Sequence, residues 1–314
     1  MKTCFLFPGQ GAQYSGMGKD LWEGSATVRE LFQKASDAAQ MDLKKLLFEA
    51  TAEELQATDK TQPAITLMSL SASAVLKENG ISMDGCAGFS LGEYAALCEA
   101  GVIRLEDLFP IVKLRGSLME KAARALDSSG GPAGMTAILG LPAEKLVAAI
   151  ESAGIPGVFV ANRNSPVQVV LSGTGPGLAK AEELLKGLGA RRIVRLKVSA
   201  PFHCPLMEEA RKAFAEGLAG YAFSDPRSPV YSNVIAGPIS SGAQARELCV
   251  RHIVSPVMWV EEQQRLLGDG FARFLEAGPG TVLCGLMRAL KPEAACMPAG
   301  RMEDIGKLRA GETQ

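Results

Sequence analysis

The sequence lacks an excess of charge of either sign and contains no long hydrophobic run. Its 314 residues include 33 Lys and Arg against 34 Asp and Glu, a formal net charge of -1. This balance provides neither a basic surface for a nucleic-acid backbone nor an acidic tail. No apolar run approaches the roughly 18 residues of a membrane-spanning helix, and the apolar run 4–7 is too short for a secretory signal. We therefore expect a protein that binds neither nucleic acid nor membrane.

The sequence also has no closely spaced pair of cysteines and few histidines. The seven cysteines form no C-x-x-C pair and their number is odd, which argues against a disulfide framework and against structural zinc. We expect reduced thiols in a cytoplasmic protein that holds no metal ion. The chain has only two histidines, His203 and His252, so any chemistry that needs an imidazole must use one of them.

The composition is that of a globular protein. An apolar fraction of 47% and a charged fraction of 21% indicate a large core, and the length suggests two domains, or one with an insertion. The order β-α-β-β-α-β over residues 127–198 predicts an inserted ferredoxin-like subdomain. Residues 1–126 and 199–314 would form the main domain. In that domain the pattern predicts a strand over 3–7, one helix over 20–41, a helix over 105–126 that Pro110 kinks, a strand over 230–233 and a last strand over 271–276.

Residues 88–92 read G-F-S-L-G, which fits the G-x-S-x-G nucleophile elbow. In such an elbow a Ser stands on a tight strand-to-helix turn, and the glycines let neighbouring segments approach. A short apolar segment precedes the motif and a helix follows it, so Ser90 is a candidate nucleophile. The alternative is an ordinary glycine-rich turn in which the Ser caps the helix.

A nucleophilic Ser needs a base. His203 is favoured over His252 because it lies in a proline-bounded loop after a predicted strand. The acidic residues between Ser90 and His203 lie mainly on predicted helices, where they are poorly placed to complete a catalytic triad. Asp127 is the best candidate among them. We therefore predict a Ser–His dyad whose imidazole is oriented by another group, such as a backbone carbonyl.

Two further features bear on the substrate. Arg115 lies on the apolar face of its predicted helix. There its guanidinium either extends to solvent or, if buried beside the nucleophile, binds a substrate carboxylate bidentately.

The loop Gly9-Gln10-Gly11 follows a strand, but Tyr14 and Met17 occupy positions where nucleotide-binding loops need Gly and Lys. Its N–H groups could instead stabilise an oxyanion.

Taken together, these segments resemble the malonyl-CoA:acyl carrier protein transacylase family, the acyltransferases of fatty acid and polyketide synthesis. The resemblance extends in order from residue 7 to residue 286. The matching stretches are FPGQGAQYSGMG (7–18), GFSLGEYAAL (88–97), RG (115–116), ANRNSPVQVVLSG (161–173), APFHCPLM (200–207), SPVMW (255–259) and EAGPGTVLCGL (276–286).

The resemblance implies an α/β-hydrolase-like core with an inserted ferredoxin-like subdomain, and ping-pong transfer of malonyl from malonyl-CoA to acyl carrier protein for fatty acid biosynthesis. No cofactor is implied, since malonyl-CoA is a substrate, and we expect a monomer. It also implies the following residue roles: Ser90 as nucleophile, His203 as general base, Gln10 and Leu91 as oxyanion N–H donors, Arg115 for the malonyl carboxylate, Phe202 for selectivity against bulkier acyl groups, and Asn162 for the cleft lining.

Two positions depart from the family pattern. Phe89 stands where the family usually has His, and His252 stands where it usually has Gln. The backbone carbonyl at the second position is implied to orient the catalytic His. Because a backbone role survives a side-chain change, we expect activity and keep His252 among the site residues.

Two other functions remain open from the sequence. An acyl thioesterase or acyl hydrolase would use the same Ser and His but would have no task for Arg115. A non-catalytic module that docks carrier protein would leave Ser90 unreactive. If a carrier binds, Arg191 and Arg192 form a candidate basic contact.

Overall fold

The computed structural model describes residues 1–126, 132–198 and 200–312. Asp127 and residue 199, at which the predicted segments 127–198 and 199–314 begin, therefore lie outside the described residues. Within these ranges the chain forms ten β-strands and thirteen α-helices, with short 3₁₀ helices at Glu54–Gln56 and Pro205–Met207. The strands are β1 (Lys2–Phe7), β2 (Gly85–Gly88), β3 (Gly134–Leu139), β4 (Val158–Ser165), β5 (Gln168–Gly173), β6 (Arg192–Arg195), β7 (Tyr231–Ser232), β8 (Gly237–Pro238), β9 (Phe271–Glu276) and β10 (Ala295–Pro298).

The helices occupy most of the remaining chain. They are α1 (Lys19–Gly24), α2 (Ala26–Ala39), α3 (Leu43–Glu49), α4 (Thr58–Glu78), α5 (Gly92–Glu99), α6 (Leu105–Ala125), α7 (Ala143–Ala153), α8 (Gly175–Gly187), α9 (Glu208–Leu218), α10 (Gly242–His252), α11 (Trp259–Gly268), α12 (Val282–Leu290) and α13 (Met302–Glu312). None of the helices in the described ranges combines the length and the apolar composition needed to cross a bilayer.

A parallel sheet of four strands, in the order β10-β9-β1-β2, forms the centre of the main domain. Residues 3–7 of β1 are buried, as expected for a strand covered on both faces. Phe5 and Phe7 belong to one apolar cluster, and Cys4 and Leu6 belong to another. Because side chains alternate along a strand, β1 contributes to the core on both faces of the sheet. The prediction of an α/β fold is thereby confirmed.

The second sheet is antiparallel, in the order β4-β5-β3-β6. Its strand β3 also divides its side chains between two cores. Ile138 packs in a cluster with Leu146 of α7 and Leu185 of α8, whereas Met135 and Ala137 pack into the main core. One face of the small sheet is thus covered by its own helices, and the other closes over the main domain.

The small sheet is joined to the main domain along β4. The Arg163 N–H donates to the carbonyl of Val257 (2.9 Å), and the Val257 N–H donates to the carbonyl of Ala161 (2.8 Å). The guanidinium of Arg163 also pairs with Glu261 of α11 at 2.9 Å. These bonds fix the wall that β4 contributes to the cleft between the two sheets.

Several predicted elements differ from those observed. The single helix predicted over 20–41 is two helices, because Ser25 ends α1 and its hydroxyl accepts the Val28 N–H at the start of α2 (3.1 Å). Helix α6 runs through Pro110 without interruption. The strand predicted over 230–233 is reduced to β7. The sequence analysis missed α12, α13 and β10, and β10 is an edge strand without β-branched residues that forms only by pairing with β9.

Candidate active site

Ser90 lies on a tight turn between β2 and α5, at the carboxyl end of the parallel sheet. Its φ of 50° is in the left-handed region, which non-glycine residues seldom occupy. A Cβ at Gly88 would overlap the backbone of Gly92, and a Cβ at Gly92 would overlap the carbonyl oxygen of Phe7. Both glycines are therefore required by close backbone contacts. The geometry is that of an elbow, and it presents the Ser90 hydroxyl to the cavity.

His203 contacts Ser90 directly. Its Nε2 is 2.7 Å from Ser90 Oγ, and its Nδ1 is 2.9 Å from the backbone carbonyl oxygen of His252. Because that carbonyl only accepts, Nδ1 carries the proton and Nε2 is free to accept one from Ser90. This is the Ser–His pair oriented by a backbone carbonyl that the sequence analysis predicted.

The charge state of His203 suits a base. Burial and, after it, the positive charge of Arg115 lower the pKa of His203 to about 3, against the opposing effect of the hydrogen bond to the His252 backbone. The imidazole is therefore neutral at neutral pH.

Arg115 of α6 is buried, with 1% of its surface exposed. Its Nη1 donates to Gln62 Oε1 (3.0 Å) and its Nη2 is 3.4 Å from Ser90 Oγ, while Nε has no hydrogen-bond partner in the part of the chain that the structure describes. The alternative of an Arg that extends to solvent is thus wrong. A buried guanidinium that lines the cavity beside a Ser hydroxyl offers a binding site for an anion.

The close packing of α6 on α4 explains the Arg-Gly pair at 115–116. A Cβ at Gly116 would lie 2.8 Å from the carbonyl oxygen of Thr58. With glycine there, α6 approaches α4 closely enough for Arg115 to reach Gln62 and Ser90. The glycine therefore allows the guanidinium to lie beside Ser90.

Ser90, His203 and Arg115 face a cavity of about 450 Å³ between the two sheets. Gln10 and Leu91 also line it, and neither backbone N–H donates to an acceptor among the described residues. Phe202 and Asn162 lie on its wall and are mostly buried. All the predicted site residues except His252 meet around this cavity, whose size is suited to a small ligand.

His252 lies behind His203 rather than on the cavity wall, so only its carbonyl reaches the site. Its ring packs against that of His203 at a centroid distance of 4.9 Å, and its Nδ1 is 3.7 Å from Glu93 Oε2. Burial, and then the neighbouring His203 and Arg115, lower the pKa of His252 well below its usual value. His252 is therefore neutral at neutral pH, and its contact with Glu93 is not an ion pair.

Comparisons with known proteins agree with this geometry. The family model of the acyl transferase domain matches residues 4–311. The malonyl CoA-acyl carrier protein transacylase of Bacillus subtilis (strain 168) is 40% identical over 289 residues, which cover 91% of this chain and 90% of the relative. That of Haemophilus influenzae is 39% identical and covers 99% of this chain and 98% of the relative. The chain belongs to the malonyl-CoA:acyl carrier protein transacylase family.

Solved structures of the family share the fold over the whole chain. The Streptococcus pneumoniae enzyme superposes with a TM-score of 0.92 at 36% identity and covers 99% of this chain and 100% of that one. A malonyl-transacylase in complex with its type II polyketide synthase acyl carrier protein gives 0.93 at 34% identity, with coverage of 99% and 100%. The family resemblance inferred from the sequence motifs is thereby confirmed.

The two departures from the family pattern lie beside Ser90 and His203, with Phe89 half-buried on the cavity wall and His252 fully buried. Phe89 packs edge-on against Trp259, with ring centroids 5.4 Å apart. His252 keeps the backbone carbonyl in place beneath His203. Both aromatic side chains are thus accommodated without displacing Ser90 or His203.

Three buried polar residues that support the site were not found from the sequence. Gln62 holds Arg115, Asn233 accepts the Ser90 N–H, and Glu93 accepts the Asn233 N–H. All three are at most 1% exposed. Only the presence of a polar side chain within a mainly apolar stretch could have indicated them.

Glu93 provides a pH-dependent contribution to stability. Burial raises its pKa from 4.5 to about 7, partly offset by the hydrogen bond from the Asn233 N–H. Because the folded state binds this proton more tightly than the unfolded state, the stabilisation is complete below pH 4.5 and is lost as the pH rises through about 7.

We therefore expect Glu93→Gln, which mimics the neutral acid, to unfold with a free energy about 3 kcal/mol higher than wild type at alkaline pH. Below the ordinary pKa of Glu the two proteins should be equally stable. Urea denaturation of both proteins across this pH range measures the difference. A difference that does not change with pH would contradict the raised pKa.

Proposed function

We propose that this acyltransferase moves the malonyl group of malonyl-CoA to the phosphopantetheine thiol of acyl carrier protein, for fatty acid biosynthesis. The observation that carries the proposal is the buried guanidinium of Arg115, which lines the cavity with Nη2 3.4 Å from the hydroxyl of Ser90. A guanidinium there would bind the free carboxylate of malonate while the thioester carbon lies against Ser90. The names of the relatives support the same substrates.

In the first half-reaction Ser90 is the nucleophile and His203 the general base. His203 Nε2 takes the hydroxyl proton as Ser90 Oγ attacks the thioester carbonyl carbon. The backbone N–H groups of Gln10 and Leu91 stabilise the resulting oxyanion, a contribution of ~3 kcal/mol per donor. The C–S bond then breaks, and His203 returns the proton to the coenzyme A thiolate.

In the second half-reaction the carrier thiol replaces coenzyme A. His203 Nε2 accepts the thiol proton as the sulfur attacks the malonyl-Ser90 ester, and it gives the proton to Ser90 Oγ as the ester bond breaks. The carbonyl of His252 holds the protonated imidazole in its orientation through Nδ1. The chemistry uses no metal ion and no bound cofactor.

The remaining site residues shape the cavity. Phe202 limits the space beside the acyl chain and would select malonyl over bulkier groups. Its position is held by the Ser172 hydroxyl, which donates to its carbonyl at 2.5 Å. Asn162, on β4 of the small sheet, lines the opposite wall and offers an amide to the pantetheine chain.

We also propose the domain organisation that the sequence analysis predicted. The parallel sheet and its helices constitute an α/β-hydrolase-like core, and residues 127–198 constitute a ferredoxin-like subdomain. The antiparallel order β4-β5-β3-β6, with α7 and α8 packed on one face, supports this assignment. The seven cysteines, all free thiols, support a cytoplasmic location, and a monomer remains our prediction, to be tested by light scattering.

Steady-state kinetics distinguish transacylase activity from hydrolase activity. With malonyl-CoA and the phosphopantetheinylated carrier varied together, we expect parallel double-reciprocal lines, because the two substrates meet only through the acyl-enzyme. The carrier without its phosphopantetheine serves as the control and should accept nothing. Release of free malonate at the same rate with either carrier would identify a hydrolase instead.

A further inference from the structure

The side chain of Asn233 hydrogen-bonds to both ends of the turn that carries Ser90. It follows β7 directly and is fully buried. Its backbone N–H donates to Glu93 Oε2 of α5 (2.8 Å), and its carbonyl accepts the Met258 N–H just before α11 (3.0 Å). The backbone of this residue is therefore fixed from two sides, independently of its side chain.

The side-chain amide of Asn233 spans the elbow. Its Oδ1 accepts the N–H of Ser90 at 2.6 Å, and its Nδ2 donates to the carbonyl of Gly88 at 2.8 Å and to Glu262 Oε2 at 2.7 Å. One group thus accepts from the residue after Phe89 and donates to the residue before it. An amide can do both, whereas a hydroxyl is too short and a carboxylate lacks the donor.

We propose that Asn233 is a positioning residue that holds the Ser90 peptide in its catalytic orientation. The inference rests on the proposed function, because it concerns the same Ser90. The left-handed φ of Ser90 is an unfavourable conformation that persists only where the surroundings enforce it, and the two bonds from the Asn233 amide enforce it on either side of the turn.

The same contact determines which N–H groups can serve as the oxyanion hole. Because the Ser90 N–H already donates to Asn233 Oδ1, we infer that it takes no part in stabilising the oxyanion. Gln10 and Leu91 line the cavity, and their N–H groups donate to no acceptor among the described residues. Asn233 therefore acts on the reaction through Ser90 and Leu91 rather than by touching the substrate.

The test measures the rate of malonyl-Ser90 formation in rapid-quench experiments on the full chain, over a range of malonyl-CoA concentrations. For Asn233→Ala we expect the limiting rate constant to fall about 100-fold, as for other small misplacements of reacting groups. The half-saturating concentration should stay within about 3-fold of wild type, because Gln62 still holds Arg115. The final adduct amplitude corrects for the folded fraction.

Asn233→Asp supplies the conservative variant. It keeps the Oδ1 acceptor for the Ser90 N–H, and neutral Glu262, whose pKa is raised by burial, can share its proton with the new carboxylate. We expect its limiting rate constant to lie between those of wild type and Asn233→Ala. Leu266→Ala, which leaves a cavity in the cluster behind the sheet, is the destabilised control and should keep the wild-type rate constant.

The outcomes separate the two proposals. The positioning role is supported if Asn233→Ala has a lower limiting rate constant but the same half-saturating concentration of malonyl-CoA as wild type. Asn233→Asp should then have a rate constant between the two. A wild-type rate constant in both variants, or equal losses in both Asn233 variants and Leu266→Ala, overturns it. If Asn233→Ala does not fold, Asn233→Asp against Leu266→Ala decides by the same criterion. A wild-type protein that forms no malonyl adduct overturns the proposed function itself.

Discussion

Replacing Ser90 with Ala is expected to abolish the malonyl adduct and to lower transfer to acyl carrier protein by at least about 10⁴-fold, as for other serine nucleophiles. The variant loses the oxygen that lies 2.7 Å from His203 Nε2. It keeps the cavity and Arg115, so malonyl-CoA should still bind. Transfer of radiolabelled malonyl to the carrier measures the loss, and equilibrium dialysis measures the binding.

Ser73→Ala is a matched control for this substitution. Ser73 is fully buried in α4, and its hydroxyl has no hydrogen-bond partner in the described part of the chain. Removing this hydroxyl should leave transfer unchanged. Transfer that persists in Ser90→Ala at the level of this control would show that another group carries the acyl chain.

The second large effect concerns the substrate rather than the nucleophile. Arg115→Ala is expected to lower malonyl transfer by about 10²- to 10³-fold, since one partner of a buried, charge-assisted contact is lost. Acetyl transfer should be spared or increased, because acetyl has no free carboxylate. The pKa of His203, which the positive charge of Arg115 lowers, should also rise in the variant and make His203 a stronger base. Competition between malonyl-CoA and acetyl-CoA measures the change in selectivity directly.

Arg115→Lys separates charge from geometry. Lys keeps the positive charge but lacks the planar fork that binds a carboxylate with two parallel hydrogen bonds. We expect malonyl transfer intermediate between wild type and Arg115→Ala. Equal losses on malonyl and acetyl in Arg115→Ala would contradict the carboxylate-binding role and would make Arg115 a support for Ser90 alone.

The parts of the site that depend on local sequence could be predicted. The glycines at 88 and 92 bracket Ser90 because the backbone there touches itself and β1, and this requirement is visible in the motif. With two histidines in the chain and no acidic residue in a suitable loop, the sequence also indicated a Ser–His pair without a carboxylate. The structure places both His203 contacts accordingly.

The parts that depend on distant contacts could not be predicted. Asn233 is 143 residues away from Ser90, and Gln62 is 53 residues away from Arg115. Nothing near either residue indicates its partner, because the contact arises only when the helices pack on the sheet. Strand β10 was missed for the same reason, since its short apolar segment becomes a strand only beside β9. The burial of Arg115 likewise depends on the approach of α6 to α4 at Gly116.

Intact-protein mass spectrometry after brief exposure to malonyl-CoA tests the central claim most directly, with acetyl-CoA and Ser90→Ala in parallel. We expect one malonyl group on wild type, none on Ser90→Ala, little from acetyl-CoA, and complete discharge on addition of phosphopantetheinylated carrier. Accumulation of free malonate and coenzyme A without a lasting adduct would contradict the transacylase and identify a hydrolase. An unmodified protein with no turnover would contradict catalysis by Ser90.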